Sequence, residues 1–160
     1  MHIVYLGLGT NLGSKRENLK QATQFIKEKI GRIITQSSLY ETIPWGYQSD
    51  NLFINMAIKI ETDKSPFDTL SLTKEIEQCM GRTHKTANAV YQDRVIDIDI
   101  LFYDNDIIDS NSLKIPHPLI AERLFVLEPL NEIAADFIHP ILHQSINQLK
   151  QNIQCIKKDT

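Results

Sequence analysis

The chain is 160 residues long, 42% hydrophobic and 23% charged, with a formal net charge of −3, which fits one globular domain large enough for a real core. The acidic balance argues against a surface built to grip nucleic-acid backbone, and Cys79 and Cys155 are isolated with no CxxC pair, so neither a disulfide framework nor a zinc knuckle is expected. No apolar run approaches a membrane span, and Met1-His2 leads straight into a strand rather than a signal peptide; a cytoplasmic protein made of one domain, residues 1–160, is expected.

In chain order, Ile3 to Gly9 reads as a strand that ends in the turn-rich Gly9-Thr10-Asn11-Leu12-Gly13. From Gly7 the spacing is G-x-G-x-x-x-G, one residue too long for a dinucleotide fingerprint, so a simple tight turn is the better reading of Gly7 to Gly13. Ser14 with Glu17 makes a capping box, Leu19, Ala22, Ile26 and Ile30 then share a helical face, and Gly31 is placed to stop that helix. Ile33 to Tyr40 reads as a second strand, Pro44 to Asn51 as a loop, and Leu52 to Glu61 as a third strand. Ser65-Pro66 opens a second helix with a stripe of Phe67, Leu70, Ile76 and Met80, ended by Gly81. A polar stretch from Arg82 to Asp93 precedes the apolar strand Val95-Ile96-Asp97-Ile98-Asp99-Ile100-Leu101-Phe102. The order β-α-β-β-α-β is the split pattern of an α+β, ferredoxin-like sheet with helices packed on one face. A hairpin around Asp106–Ile115 and short helices around Ala121–Leu127 and Gln144–Gln151 form a C-terminal elaboration.

Asp97 and Asp99 carry the chemistry. Residues i and i+2 of a strand point to one face, roughly 6–7 Å apart at the backbone. Two like charges so placed are costly unless a cation sits between them. A hard ion such as Mg²⁺ takes oxygen ligands and keeps positions for substrate phosphates. An acidic edge strand that resists aggregation is the alternative. Arg94 favours the phosphate reading, because a guanidinium grips phosphate oxygens bidentately. The stretch Arg82 to Arg94 reads either as a solvated loop or as a basic lid. His139 and His143 have helical metal spacing, but Pro140 lies between them and no third ligand is evident. Asn55, on the same side as Phe53 in an apolar strand, needs buried partners, which a flat heterocycle would supply.

These fragments together resemble a known family, the 6-hydroxymethyl-7,8-dihydropterin pyrophosphokinases of the folate pathway. The resemblance runs nearly end to end, through Leu8–Gly13, Tyr40–Pro44, Phe53–Asn55, Gly81-Arg82, Arg94–Leu101, Ile115–Pro118 and Arg123–Leu127. It implies a ferredoxin-like α+β sandwich and transfer of the terminal pyrophosphoryl group of ATP to the pterin hydroxymethyl oxygen, releasing AMP. Asp97 and Asp99 would hold two Mg²⁺ ions bridging the ATP phosphates, and Arg82 and Arg94 would contact phosphates or close the lid. His117 and Arg123 match phosphate-binding residues of the family, and Glu77 matches one near the nucleotide. Phe53 and Phe125 would sandwich the pterin, while Asn55 and the main chain around Thr42 and Trp45 would read its edge. Asp97 would also approach the substrate as a candidate proton acceptor.

The chain departs from the family's usual pattern at Gln92-Asp93, where Gly-Pro is common, and at Val95, where Thr is common. His84 stands where a second basic residue is usual, and Tyr91 is a possible substitute for the lid tryptophan that this chain lacks. Small-molecule substrates, no nucleic acid, no membrane and a monomer are the expected partners and state. Two rivals share these residues. One is another Mg²⁺-dependent phosphoryl-transfer or nuclease-type enzyme, of which a nuclease would want a basic groove and more acidic ligands; the other, a non-catalytic ferredoxin-like module, would have no use for Asp97 and Asp99 beside Arg94.

Overall fold

The computed structural model describes residues 1–42, 52–81 and 95–158. Strand β1 (His2–Thr10) leads into α1 (Lys15–Lys29), followed by β2 (Arg32–Gln36), β3 (Tyr40–Thr42) and β4 (Phe53–Thr62). Helix α2 (Pro66–Cys79) precedes β5 (Asp97–Tyr103), the hairpin β6 (Ile108–Asp109) and β7 (Lys114–Ile115), a 3₁₀ turn at Ile120–Glu122, α3 (Leu124–Ala134) and α4 (Ile146–Lys158). The main sheet is antiparallel in the order β2-β4-β1-β5, with β3 also on β4. The mixed helix-and-sheet expectation therefore holds.

Period-two alternation sorts β1 between two cores. Val4, Leu6 and Leu8 enter a cluster with Leu19, Ala22 and Ile26 of α1 and Ile76 of α2. Tyr5 faces the other way, into a second cluster with Leu101, Phe102, Leu127, Leu130, Ile146 and Leu149. The two helices of the split pattern, α1 and α2, lie on one face as expected, and the C-terminal elaboration adds α3 and α4 on the other. The apolar α3 and the amphipathic α4 bury their stripes on the side the first two leave uncovered.

Local expectations meet mixed outcomes. Leu19, Ala22, Ile26 and Ile30 are all buried. Ser14 is the N-cap of α1, but its side chain makes no capping bond. Asn18 holds the entry instead, its Nδ2 donating to Leu12 O at 2.8 Å and Thr10 Oγ1 at 3.2 Å. The turn reading of Gly9-Thr10 fails, since both stay within β1. The second strand divides at residues 37–39, and Ser37 Oγ takes the Ala57 N–H at 2.9 Å. Ser65 caps α2 through the Asp68 N–H at 3.1 Å, and Gly81 ends it with φ +110°.

Phe67 is 47% exposed, against its assignment to the buried stripe. The buried face of α2 is Thr69, Thr73, Ile76 and Glu77, and Phe67 lies roughly half a turn around the helix from it. Gly31 does follow α1, but its reason is packing: a Cβ there would collide with Glu61 O. The helix end is closed by Thr62, whose hydroxyl donates to Ile30 O at 2.6 Å.

Candidate functional site

Antiparallel register assembles the site. Asp97 pairs with Gly9 and Asp99 with Gly7, while on the other side of β1 Gly9 pairs with Asn55 and Gly7 with Ala57. Two rows therefore run across three strands on one face: Asn55–Gly9–Asp97 and Ala57–Gly7–Asp99. The glycines add no side chain of their own to these rows; the Leu101 side chain stands over Gly7, and Asn55 Oδ1 and the Phe53 ring stand beside Gly9. Gly9 has a second reason to be glycine, because an added Cβ would stand 2.8 Å from Asn55 Oδ1.

Asp97 and Asp99 are each half-buried. Between them, the Ile98 N–H donates to Glu77 Oε2 at 2.9 Å. Along the β5 edge runs a groove of about 430 Å³ whose lining includes Glu77, Asp97, Asp99, His117 and Arg123. Five of the residues singled out from sequence therefore converge. The same groove is lined by Lys74, Ser112 and Lys114, which sequence reasoning missed. A signal existed: Lys74 precedes Glu77, and Lys114 precedes His117, by three residues each.

His117 is tied to β5 by its own backbone N–H, which donates to Leu101 O at 3.0 Å. Its Nδ1 accepts the Leu119 N–H at 3.2 Å, so the neutral ring carries its proton on Nε2. Burial, then the Arg123 guanidinium, push its pKa down to about 4, against a smaller opposing pull from Asp97. At neutral pH it is an uncharged hydrogen-bond donor. Arg123, at the start of α3, lies over the ring of Phe125 with its guanidinium carbon 5.6 Å from the ring centroid.

The other end of this face is built on β3 and β4. Asn55 is buried, and its Nδ2 donates to Thr42 Oγ1 at 2.7 Å. That bond fixes the amide with Oδ1 toward Gly9. Phe53 and Phe125 are each half-buried, one at the start of β4 and the other in the first turn of α3. Arg82, Arg94 and Trp45 lie outside the described residues, as does the expected lid. His139 is occupied otherwise: its Nδ1 accepts the N–H groups of Ile141 and Leu142, both at 3.1 Å.

The donor set suits a divalent cation. Two carboxylates on a strand offer hard oxygen ligands on one side only and leave the remaining positions for water or phosphate, as Mg²⁺ prefers. Among the described residues, no group of three His, Cys, Asp or Glu gathers into a self-sufficient metal cage.

Residues 5–135 match the model of the family described as 7,8-dihydro-6-hydroxymethylpterin-pyrophosphokinase. The chain is 41% identical over 141 residues to the 2-amino-4-hydroxy-6-hydroxymethyldihydropteridine pyrophosphokinase of Porphyromonas gingivalis, covering 88% of this chain and 95% of that one. It is 45% identical over 152 residues to the folic acid synthesis protein FOL1 of Dictyostelium discoideum, covering 95% of this chain but only 22% of that protein. A solved structure of Plasmodium falciparum HPPK-DHPS has the same fold, with a TM-score of 0.77 at 20% identity, covering 99% of this chain and 42% of the other.

Proposed function

The chain belongs to the 7,8-dihydro-6-hydroxymethylpterin-pyrophosphokinase family, whose activity is pyrophosphoryl transfer to 6-hydroxymethyl-dihydropterin in folate biosynthesis, and we propose that the face of its sheet bearing Asp97 and Asp99 is where that transfer occurs. The single observation that carries this reading is the facing of Asn55, Gly9 and Asp97 across three strands, with His117 and Arg123 in the adjoining groove. A flat pterin would sit beside Gly9, with Asn55 and Thr42 on its edge and Phe53 and Phe125 on its faces. Trp45 is expected to add a main-chain contact. ATP fits along the β5 groove, and the products are AMP and the pterin diphosphate.

Asp97 and Asp99 are the residues that would hold Mg²⁺, two ions on this reading; bound there, the cations would neutralise the phosphate charge that resists attack by a hydroxyl. The chain's own part is positioning. His117 donates Nε2–H and Arg123 two parallel N–H groups to phosphate oxygens, as Arg82 and Arg94 are expected to do from the other side. Phe125 links the halves, touching Arg123 through its ring while presenting that ring to the pterin. Bringing the hydroxymethyl oxygen in line with the β-phosphorus supplies much of the acceleration in such reactions.

The strand order supports a ferredoxin-like core in which β2 and β3 together fill the place of one strand. One domain over 1–160, acting as a cytoplasmic monomer, completes the proposal; among the described residues no helix is long and apolar enough to cross a membrane. The decisive assay supplies ATP, Mg²⁺ and 6-hydroxymethyl-7,8-dihydropterin and resolves the nucleotides. Pterin-dependent AMP is the expected product, whereas ADP, or AMP without pterin, would overturn the reading.

A further inference from the structure

Glu77 is the only buried carboxylate among the described residues, 4% exposed near the end of α2. Its Oε2 accepts the N–H of Ile98, the residue between the two aspartates. Register explains why that amide needs a side chain. Asp97 and Asp99 pair with Gly9 and Gly7 of β1. In an antiparallel ladder, residues directing N–H and C=O toward the neighbour alternate with residues directing them away. Among the described residues β5 has a main-sheet neighbour only on its β1 side, so the Ile98 amide faces the edge. Ile98 is itself buried, and its N–H finds the α2 carboxylate in place of a strand.

We propose that Glu77 is a positioning residue: by gripping the Ile98 amide it fixes the Asp97–Ile98 peptide plane and with it the directions in which both flanking aspartates leave the strand. This rests on the reading of Asp97 and Asp99 as Mg²⁺ ligands. Such a pair works only if held to within about 0.5 Å and 10–20°, and an edge strand bonded on one side lacks that rigidity by itself. The role differs in kind from direct contact with the nucleotide or the metal. Positioning needs an acceptor atom on the side chain; direct contact with a metal or a phosphate-bound cation needs its charge.

Glu77→Gln keeps the acceptor and removes the charge, whereas Glu77→Met keeps much of the volume and removes the acceptor. Three readouts separate the roles: hydrogen exchange at the Ile98 amide, the Mg²⁺ concentration giving half-maximal AMP formation, and ATP affinity without Mg²⁺. The Met variant should speed Ile98 exchange and raise the Mg²⁺ requirement by about 10–100-fold, the usual effect of losing a group that orients a metal ligand. Its Mg²⁺-free ATP affinity should not change, and the Gln variant should stay within about threefold of wild type throughout. A Gln variant with Ile98 still protected but the Mg²⁺ requirement raised as far as in the Met variant would overturn the proposal. So would a loss of Mg²⁺-free ATP affinity in either. If the Met variant does not fold, the Gln variant decides alone: a Mg²⁺ requirement raised about tenfold or more with Ile98 still protected would overturn the proposal, and one within about threefold would support it. Asp99→Asn serves as the control: an unshifted Mg²⁺ requirement there would mean that the metal reading itself had failed, whereas a shift there with none in Glu77→Met would defeat positioning alone.

Discussion

The two faces of β1 are made by one nine-residue strand and differ completely. Toward α1 and α2 it presents Val4, Leu6 and Leu8, all buried in the larger core. Toward α3 and α4 it presents Tyr5, which is covered, and then Gly7 and Gly9, which carry no side chain. The first face is packed along its whole length and serves stability. On the second, Tyr5 is packed, the Leu101 side chain stands over Gly7, and Phe53 and Asn55 stand beside Gly9, with Asp97 and Asp99 on the neighbouring strand. The candidate site is a stretch of sheet face where the central strand contributes no side chain of its own, next to a core that anchors it.

The contrast can be broken most sharply at the aspartates. Asp97→Ala and Asp99→Ala should each slow AMP formation by about 10³-fold or more while the thermal midpoint stays near wild type; near-wild-type turnover would remove the metal assignment. The opposite face should answer in the opposite way. Leu6→Ala empties a fully buried site and should cost about 2–5 kcal/mol in chemical denaturation, with little change in the rate of the molecules that remain folded. A large loss of rate at unchanged stability would mean that the two faces are not separable.

His117 tests the border between them. Its folded pKa lies near 4 and its unfolded value near 6.5, so the unfolded chain binds the extra proton first. Stability should fall as pH drops from about 6.5 toward 4, by at most about 3 kcal/mol from this group. His117→Asn should flatten that part of the stability–pH curve, and an unchanged slope would show that the ring is not held neutral. Gly9→Ala should have the smallest effect. Its Cβ would meet Asn55 Oδ1, and a strain of about 1–3 kcal/mol corresponds to roughly 5–150-fold weaker pterin binding. Calorimetry should find ATP affinity unaltered; an equal loss for both ligands would contradict the division of the face.

Much of this was legible locally. The alternation around Asp97 and Asp99 put both on one face, and the spacing of Leu19, Ala22, Ile26 and Ile30 named the α1 stripe correctly. Phe67 departs from the pattern because hydrophobicity alone does not fix burial. Thr69 and Thr73 are buried instead, their hydroxyls returned to the backbone at Ser65 O and Leu70 O, which lets them pack like small apolar groups. The glycines depart from expectation for a related reason. Read along the chain, Gly7 and Gly9 suggested a turn, and only their partners across the sheet turn them into the floor of a site.

What the sequence determined by itself depends on near neighbours in the chain: strand and helix periods, the Ser65 cap on α2, and two carboxylates side by side. These follow from backbone geometry, which repeats over a few residues. The tertiary structure decided what depends on distant partners. It set glycines opposite the aspartates, brought Glu77 to the Ile98 amide across 21 residues, and placed Arg123 and buried surroundings around His117 so that its ring stays neutral. Register, burial and electric field at a site are properties of the packed chain, and no local pattern contains them.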